Sequence, residues 1–132
     1  MHNPPLILVI DDEPNLLEIA AIRLKSAGYA TETAGDAVAG FEAAKKLLPD
    51  LILLDINMPG VNGTEAFLDF RKDQALKDTK ITFFTNMSAP WPGIVSREKF
   101  AQELGAVGFI DKAKDLDTLG DRIGQILAGT KK

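Results

Sequence analysis

The sequence predicts an α/β fold, a doubly wound five-stranded parallel sheet with helices on both faces. Two observations carry this. Short apolar runs, Leu6–Ile10, Leu51–Leu54, Ile81–Phe84 and Val107–Ile110, have the length and near-continuous hydrophobicity of strands buried on both faces. Longer stretches with apolar residues at helical spacing alternate with them, which is the pattern of successive βα units joined by right-handed crossovers.

In chain order, Leu6–Ile10 is the first strand. A helix follows with Leu17, Ala20, Ala21 and Leu24 at helical spacing. Pro14 suits its first turn, and Gly28 ends it. Ala30–Thr33 is a weaker strand nearer the sheet edge. A second helix is expected over about Asp36 to Leu47, with Val38, Phe41, Ala44 and Leu48 as its apolar side, stopped by Pro49. After the strand Leu51–Leu54 comes a third helix, about Thr64 to Asp73. The strand Ile81–Phe84 leads to a fourth helix, about Val95 to Leu104, which Gly105 ends. After Val107–Ile110 a fifth runs from about Asp115 to Leu127, with Leu116, Leu119, Ile123, Ile126 and Leu127 facing the core. Repeats, linkers and low-complexity segments are absent from the sequence. The 132 residues, 45% of them hydrophobic, fit a single domain over 1–132 with its core at about 5–128.

Composition narrows the function. A net charge of −4 and a pI of about 4.9 argue against direct nucleic-acid binding, which needs a basic stripe to displace counterions. The absence of cysteine removes disulfides, thiolate catalysis and Cys-based zinc sites, and fits a reducing cytoplasm. No stretch approaches the roughly 20 apolar residues that span a bilayer. The Met1–Pro5 segment has no features of a signal peptide. His2 is expected in a flexible N-terminus and not as a ligand.

In a doubly wound sheet the ligand site lies at the carboxyl ends of the strands. There the sequence places Asp11, Asp12 and Glu13 after the first strand, Asp55 after the third, Thr85 and Asn86 after the fourth, and Asp111 and Lys112 after the fifth. Each has an ordinary reading when taken singly, as a helix cap, a turn residue or a solvated charge; together they form one polar rim. Carboxylates crowded at one rim repel, so at least one pKa should rise without a cation. Oxygen donors without sulfur or imidazole point to Mg²⁺. A carboxylate beside that ion, facing an ammonium and a hydroxyl, suits phosphoryl transfer through an aspartyl phosphate. Asp55 fits the nucleophile best, because it stands alone at a strand end before the Met58-Pro59-Gly60 turn.

These residues resemble the receiver domains of bacterial two-component signalling. The matching stretches are Leu8–Pro14, Pro49–Gly60 with Gly63, Ile81–Thr85 and Gly105–Lys112. The resemblance implies a flavodoxin-like fold with strand order 2-1-3-4-5. It implies that Asp55 accepts a phosphoryl group from the phosphohistidine of a histidine kinase or phosphotransfer protein, or from a small acyl phosphate. Asp12, Asp55 and the backbone carbonyl of Asn57 would bind Mg²⁺ directly, and Asp11 through a water. Thr85 and Lys112 would contact the phosphoryl oxygens, and Phe109 would be the switch aromatic that turns inward as Thr85 moves. The face formed by the fourth helix, fifth strand and fifth helix would then bind a downstream protein, with no membrane contact. As no output domain follows the fifth helix in this sequence, the chain is expected to stand alone, as a monomer or weak homodimer, with a fragment of a hybrid kinase or of a longer regulator as the alternative.

The sequence departs from the family chiefly at three places. Ala113 stands where proline is common, so a trans Lys112–Ala113 bond is expected. Asn86 stands where a small residue is usual. The Met87–Gly93 loop, with Pro90, Trp91 and Pro92, should be stiff, and Trp91 is either a partner anchor or packed on the sheet. Phe109 also lacks the hydroxyl of the commoner tyrosine. Gly120 and Gly124 have the spacing that permits close helix approach, including dimerisation. Two other functions remain in view. One is a receiver-like binding module that is not phosphorylated. The other is a Mg²⁺-dependent phosphatase working through an aspartyl phosphate, which Asn57 disfavours by standing where such enzymes carry a second carboxylate.

Overall fold

The computed structural model describes residues 2–55, 57–58, 61–85, 108–112 and 115–129, with the side chains of all but 57–58, 61–67, 85, 108 and 109. The elements are β1 (Leu6–Ile10), α1 (Pro14–Ser26), β2 (Ala30–Ala34), α2 (Ala37–Leu47), β3 (Leu51–Leu54), β4 (Asn57–Met58), β5 (Val61–Asn62), α3 (Gly63–Lys72), β6 (Lys80–Thr85), β7 (Gly108–Asp111) and α4 (Leu119–Leu127). The expected helix over Val95–Leu104, the Asn86–Gly93 segment and Ala113 lie outside the described residues.

The main sheet is parallel throughout, in the order β2-β1-β3-β6-β7. Numbered within that sheet, this is 2-1-3-4-5, as the resemblance implies. The chain moves outward from β1 to β2 and then returns to the other side of β1, so the order reverses between β1 and β3. The carboxyl ends at such a reversal frame a crevice. β4 and β5 form a separate antiparallel hairpin, pairing Asn57 with Asn62 and Met58 with Val61.

β1 and β3 are buried along their whole length, which explains their unbroken apolar sequence. Alternate residues face opposite layers. Leu8, Ile10, Ile52, Leu54, Ile81 and Phe83 pack with Ala37, Ala44 and Phe70 on one side. Ile7, Val9, Leu51, Leu53, Phe84 and Ile110 pack with Leu24, Leu119 and Ile123 on the other. β2, partly exposed, is the edge strand the sequence predicts. Pro14 opens α1. Gly28, at φ +99°, closes it, with Gly28 N–H donating to Lys25 and Tyr29 N–H to Leu24, both at 3.0 Å.

α2 differs from its expected phase. Asp36 is its N-cap and accepts the Ala39 N–H at 2.7 Å. Ala37, Gly40 and Ala44 face inward with Phe41 half-buried, whereas Val38 and Leu48 are 67% and 51% exposed. The reason is a close approach between helix and sheet. A Cβ on Gly40 would lie 2.5 Å from Ile10 Cδ1 and 2.8 Å from its Cγ1. Gly40→Ala should therefore destabilise the fold by about 1–3 kcal/mol, although alanine is the better helix former; urea unfolding checks the sign.

Two other expectations need correction and one is made specific. α4 begins at Leu119, not Asp115, because the Asp115 carboxylate is engaged by the Asp111 N–H at 2.9 Å and by Arg122 at 3.1 Å. Gly120 and Gly124 serve packing within the chain: a Cβ on Gly120 would meet Ala27 Cβ at 2.5 Å, and one on Gly124 would sit 3.2 Å from the Tyr29 hydroxyl. His2 is tied down, its Nε2 lying 3.0 Å from the carbonyls of Leu47 and Leu48 at the end of α2. Among the described residues no helix is long and apolar enough to cross a membrane.

Candidate functional site

The site grows out of the two central strands. Ile10 and Leu54 are register partners in β1 and β3. The ladder extends one residue past them, with Asp11 N–H donating to the Ala34 carbonyl at 3.1 Å and Asp55 N–H to the Ile10 carbonyl at 3.0 Å. Those bonds fix the backbones of Asp11 and Asp55 side by side at the reversal point. Asp11 is fully buried, Asp55 is 2% exposed, and Asp12 is half-buried. Carboxylate oxygens of these three residues lie within 4.8 Å of one another.

Lys112, at the end of β7, bridges the group. Its ammonium lies 2.7 Å from Asp11 Oδ2 and donates to Asp55 Oδ2 at 3.1 Å and to Glu13 Oε1 at 2.9 Å. It also stands 5.9 Å from the centre of the Phe84 ring, within cation–π range. Burial would lower the Lys112 pKa, but the close contacts with Asp11 and Glu13 and the charges of Asp55 and Asp11 raise it above the ordinary lysine value. The side chain stays protonated at any working pH.

The pKa rise expected from crowding falls on Asp11, yet its main cause is burial. The Asp55 charge adds to it, while the Lys112 contact and the Glu13 N–H, 2.9 Å from Asp11 Oδ1, oppose it. Asp11 Oδ2 is buried and has no hydrogen-bond partner, since its contact with Lys112 lacks hydrogen-bond geometry. A shielded carboxylate oxygen that accepts no hydrogen bond, among two other carboxylates, suits a hard divalent cation that retains some of its waters. The donor set therefore fits Mg²⁺, with Asp11, Asp12 and Asp55 as the side chains that could hold it.

The structure brings Asp11, Asp12, Asp55 and Lys112 together. It places Thr85 opposite Asp111 and Phe83 opposite Phe109 in the β6–β7 register, and puts Asn57 in β4, two residues after Asp55. The side chains of Thr85, Asn57 and Phe109 lie outside those described. Sequence reasoning missed the place of Glu13. That residue was visible only as an acid following the Asp11–Asp12 pair, and its partner is 99 residues away.

Comparison with known proteins follows the same lines. The family model described as the response regulator receiver domain matches residues 7–124. The DNA-binding dual master transcriptional regulator RpaA of a Synechocystis species is 30% identical over 128 residues, 97% of this chain and 51% of that protein. The DNA-binding response regulator MtrA of Mycolicibacterium smegmatis is 38% identical over 80 residues, 61% of this chain and 35% of that protein. The chain thus spans about half, or less, of the length of these relatives. Among solved structures, the chemotaxis response regulator CheY4 of Vibrio cholerae superposes with a TM-score of 0.79 at 27% identity, covering 92% of this chain and 98% of that one. The response regulator TrrA of Thermotoga maritima, in complex with Mg²⁺–BeF, superposes with a TM-score of 0.73 at 30% identity over the same shares.

Proposed function

The chain belongs to the response regulator receiver domain family of two-component signalling, and from that premise we propose that Asp55 is its phospho-acceptor in a Mg²⁺-dependent signalling switch. The observation that carries this reading is the Asp55 carboxylate itself. It is buried at the central strand end, grouped with Asp11 and Asp12, and hydrogen-bonded to Lys112.

An Asp55 carboxylate oxygen attacks the phosphorus of a phosphohistidine. The P–O bond forms as the P–N bond breaks, and the imidazole leaves with its electron pair. The Lys112 ammonium neutralises charge on the phosphoryl oxygens, and the Thr85 hydroxyl donates a hydrogen bond to one of them. Asp12, Asp55 and the Asn57 carbonyl would hold Mg²⁺, with Asp11 assisting. When bound, the ion supplies charge neutralisation for the transferring group. The Thermotoga relative was solved in complex with Mg²⁺–BeF, which supports a Mg²⁺ site in this fold.

The phosphoryl group adds about −1.5 to −2 charge and three acceptors. Thr85 moves toward it, Phe109 fills the vacated space, and the face that includes β7 and α4 changes its packing as a population shift. Its partners are a histidine kinase or phosphotransfer protein upstream and a protein target downstream. The chemistry is stoichiometric acceptance with slow self-dephosphorylation, not turnover of external substrates. DNA binding belongs to the named relatives; here the readout is placed on proteins.

Incubation with acetyl phosphate and Mg²⁺ should add one phosphoryl group per chain, read by intact mass, and EDTA should abolish it. An adduct that forms equally well in EDTA contradicts the metal assignment, and no adduct in Mg²⁺ favours the unphosphorylated binding module.

A further inference from the structure

Glu13 occupies the N-cap position of α1, but its side chain makes no capping hydrogen bond. Its carbonyl accepts the Leu17 N–H at 3.0 Å and its own N–H is held by Asp11, so its backbone is fixed at the site rim. Its carboxylate accepts a hydrogen bond from Lys112 at 2.9 Å. The side chain of Glu13 is 61% exposed while that of Lys112 is 11% exposed. One ammonium is therefore shared between two buried carboxylates beneath it and one exposed carboxylate beside it.

These roles conflict. An ammonium resting on Asp11 and Asp55 competes with a cation for their oxygens. An ammonium held by Glu13 is less available to a phosphoryl group on Asp55. We propose that Glu13 is a positioning residue, a counter-ion that draws Lys112 toward the rim, favouring cation entry and opposing capture of Lys112 by the phosphoryl group. The inference rests on the phospho-acceptor reading of Asp55. It makes Glu13 a setting for the balance between loading the site and holding the phosphoryl group.

The two consequences have opposite signs, which a merely structural role for an exposed side chain would not produce. In Glu13→Gln, Mg²⁺ affinity measured by calorimetry should fall about two- to fivefold, the scale of a partly exposed ion pair. Beryllofluoride affinity at saturating Mg²⁺, measured by ¹⁹F NMR, should rise by a similar factor. If Glu13 acts through Lys112, its effect on Mg²⁺ affinity should vanish in a Lys112→Met background. Unchanged affinities, changes of the same sign, or a Mg²⁺ effect that persists without Lys112 overturn the proposal while leaving Asp55 as acceptor. A wild-type chain that binds Mg²⁺ but not beryllofluoride overturns the acceptor reading, and the proposal with it.

Discussion

Lys112→Met will destabilise the metal-free protein at neutral pH by about 2–3 kcal/mol, somewhat below the cost of breaking a fully buried ion pair. Asp11 and Asp55 are 0% and 2% exposed, and the substitution takes from both the ammonium now 2.7 and 3.1 Å away. The raised pKa of Lys112 gives the same sign. A cation whose folded pKa lies above its unfolded value contributes stability below the unfolded pKa, and that stability is lost as pH rises through the folded one. The deficit of the variant should shrink as pH falls and the carboxylates protonate. It should shrink also with Mg²⁺, because the ion then meets no competing ammonium. Urea unfolding at two pH values, in EDTA and in Mg²⁺, measures all three effects.

Asp11→Asn will raise the melting temperature of the metal-free protein at neutral pH by a few °C, while weakening Mg²⁺ binding by roughly tenfold or more. Burial, reinforced by Asp55, raises the Asp11 pKa despite the opposing contacts from Lys112 and the Glu13 N–H. The sign follows from linkage. A carboxylate whose folded pKa is raised contributes stability below its unfolded pKa of 3.8, and loses it as pH rises through the folded value. At neutral pH the wild-type chain therefore carries an ionised carboxylate that its surroundings disfavour, and asparagine removes that cost. The gain should disappear near pH 4. A variant less stable than wild type in EDTA at pH 7 would contradict this account of Asp11. Opposite movements of stability and metal affinity are the result expected of a carboxylate placed for a cation.

Both predictions rest on a site that the sequence largely discloses. β1 and β3 are readable because burial on both faces leaves no polar residue inside them, so the first polar residues, Asp11 and Asp55, mark the strand ends. Their adjacency needs only the reversal of strand order between β1 and β3. Lys112 follows from the same logic on β7. Three features are not legible, each for a physical reason. The inward face of α2 is set by Gly40 against Ile10, and hydropathy does not report closeness of approach, so Val38 and Leu48 seemed to belong inside. The start of α4 depends on where the Asp115 side chain goes, which periodicity does not encode. The Glu13–Lys112 pair joins residues 99 apart, and no local pattern distinguishes an acid that caps its own helix from one that reaches across the sheet.

The Gly120–Gly124 spacing carries a related lesson. Small residues four apart permit close packing without naming the partner, and here the partner is Ala27 and Tyr29 of the same chain. A stripe spent inside the fold gives no support to a dimer through α4.

Residence of the phosphoryl group on Asp55 can be read out chemically. The protein is incubated with acetyl phosphate and Mg²⁺, the acyl phosphate is reduced with borohydride to an alcohol, and the modified residue is located by peptide mass. Homoserine is expected at position 55 alone, with no modification in Asp55→Asn. Homoserine at position 11 or 12, or phosphoryl incorporation that survives in Asp55→Asn, would contradict it.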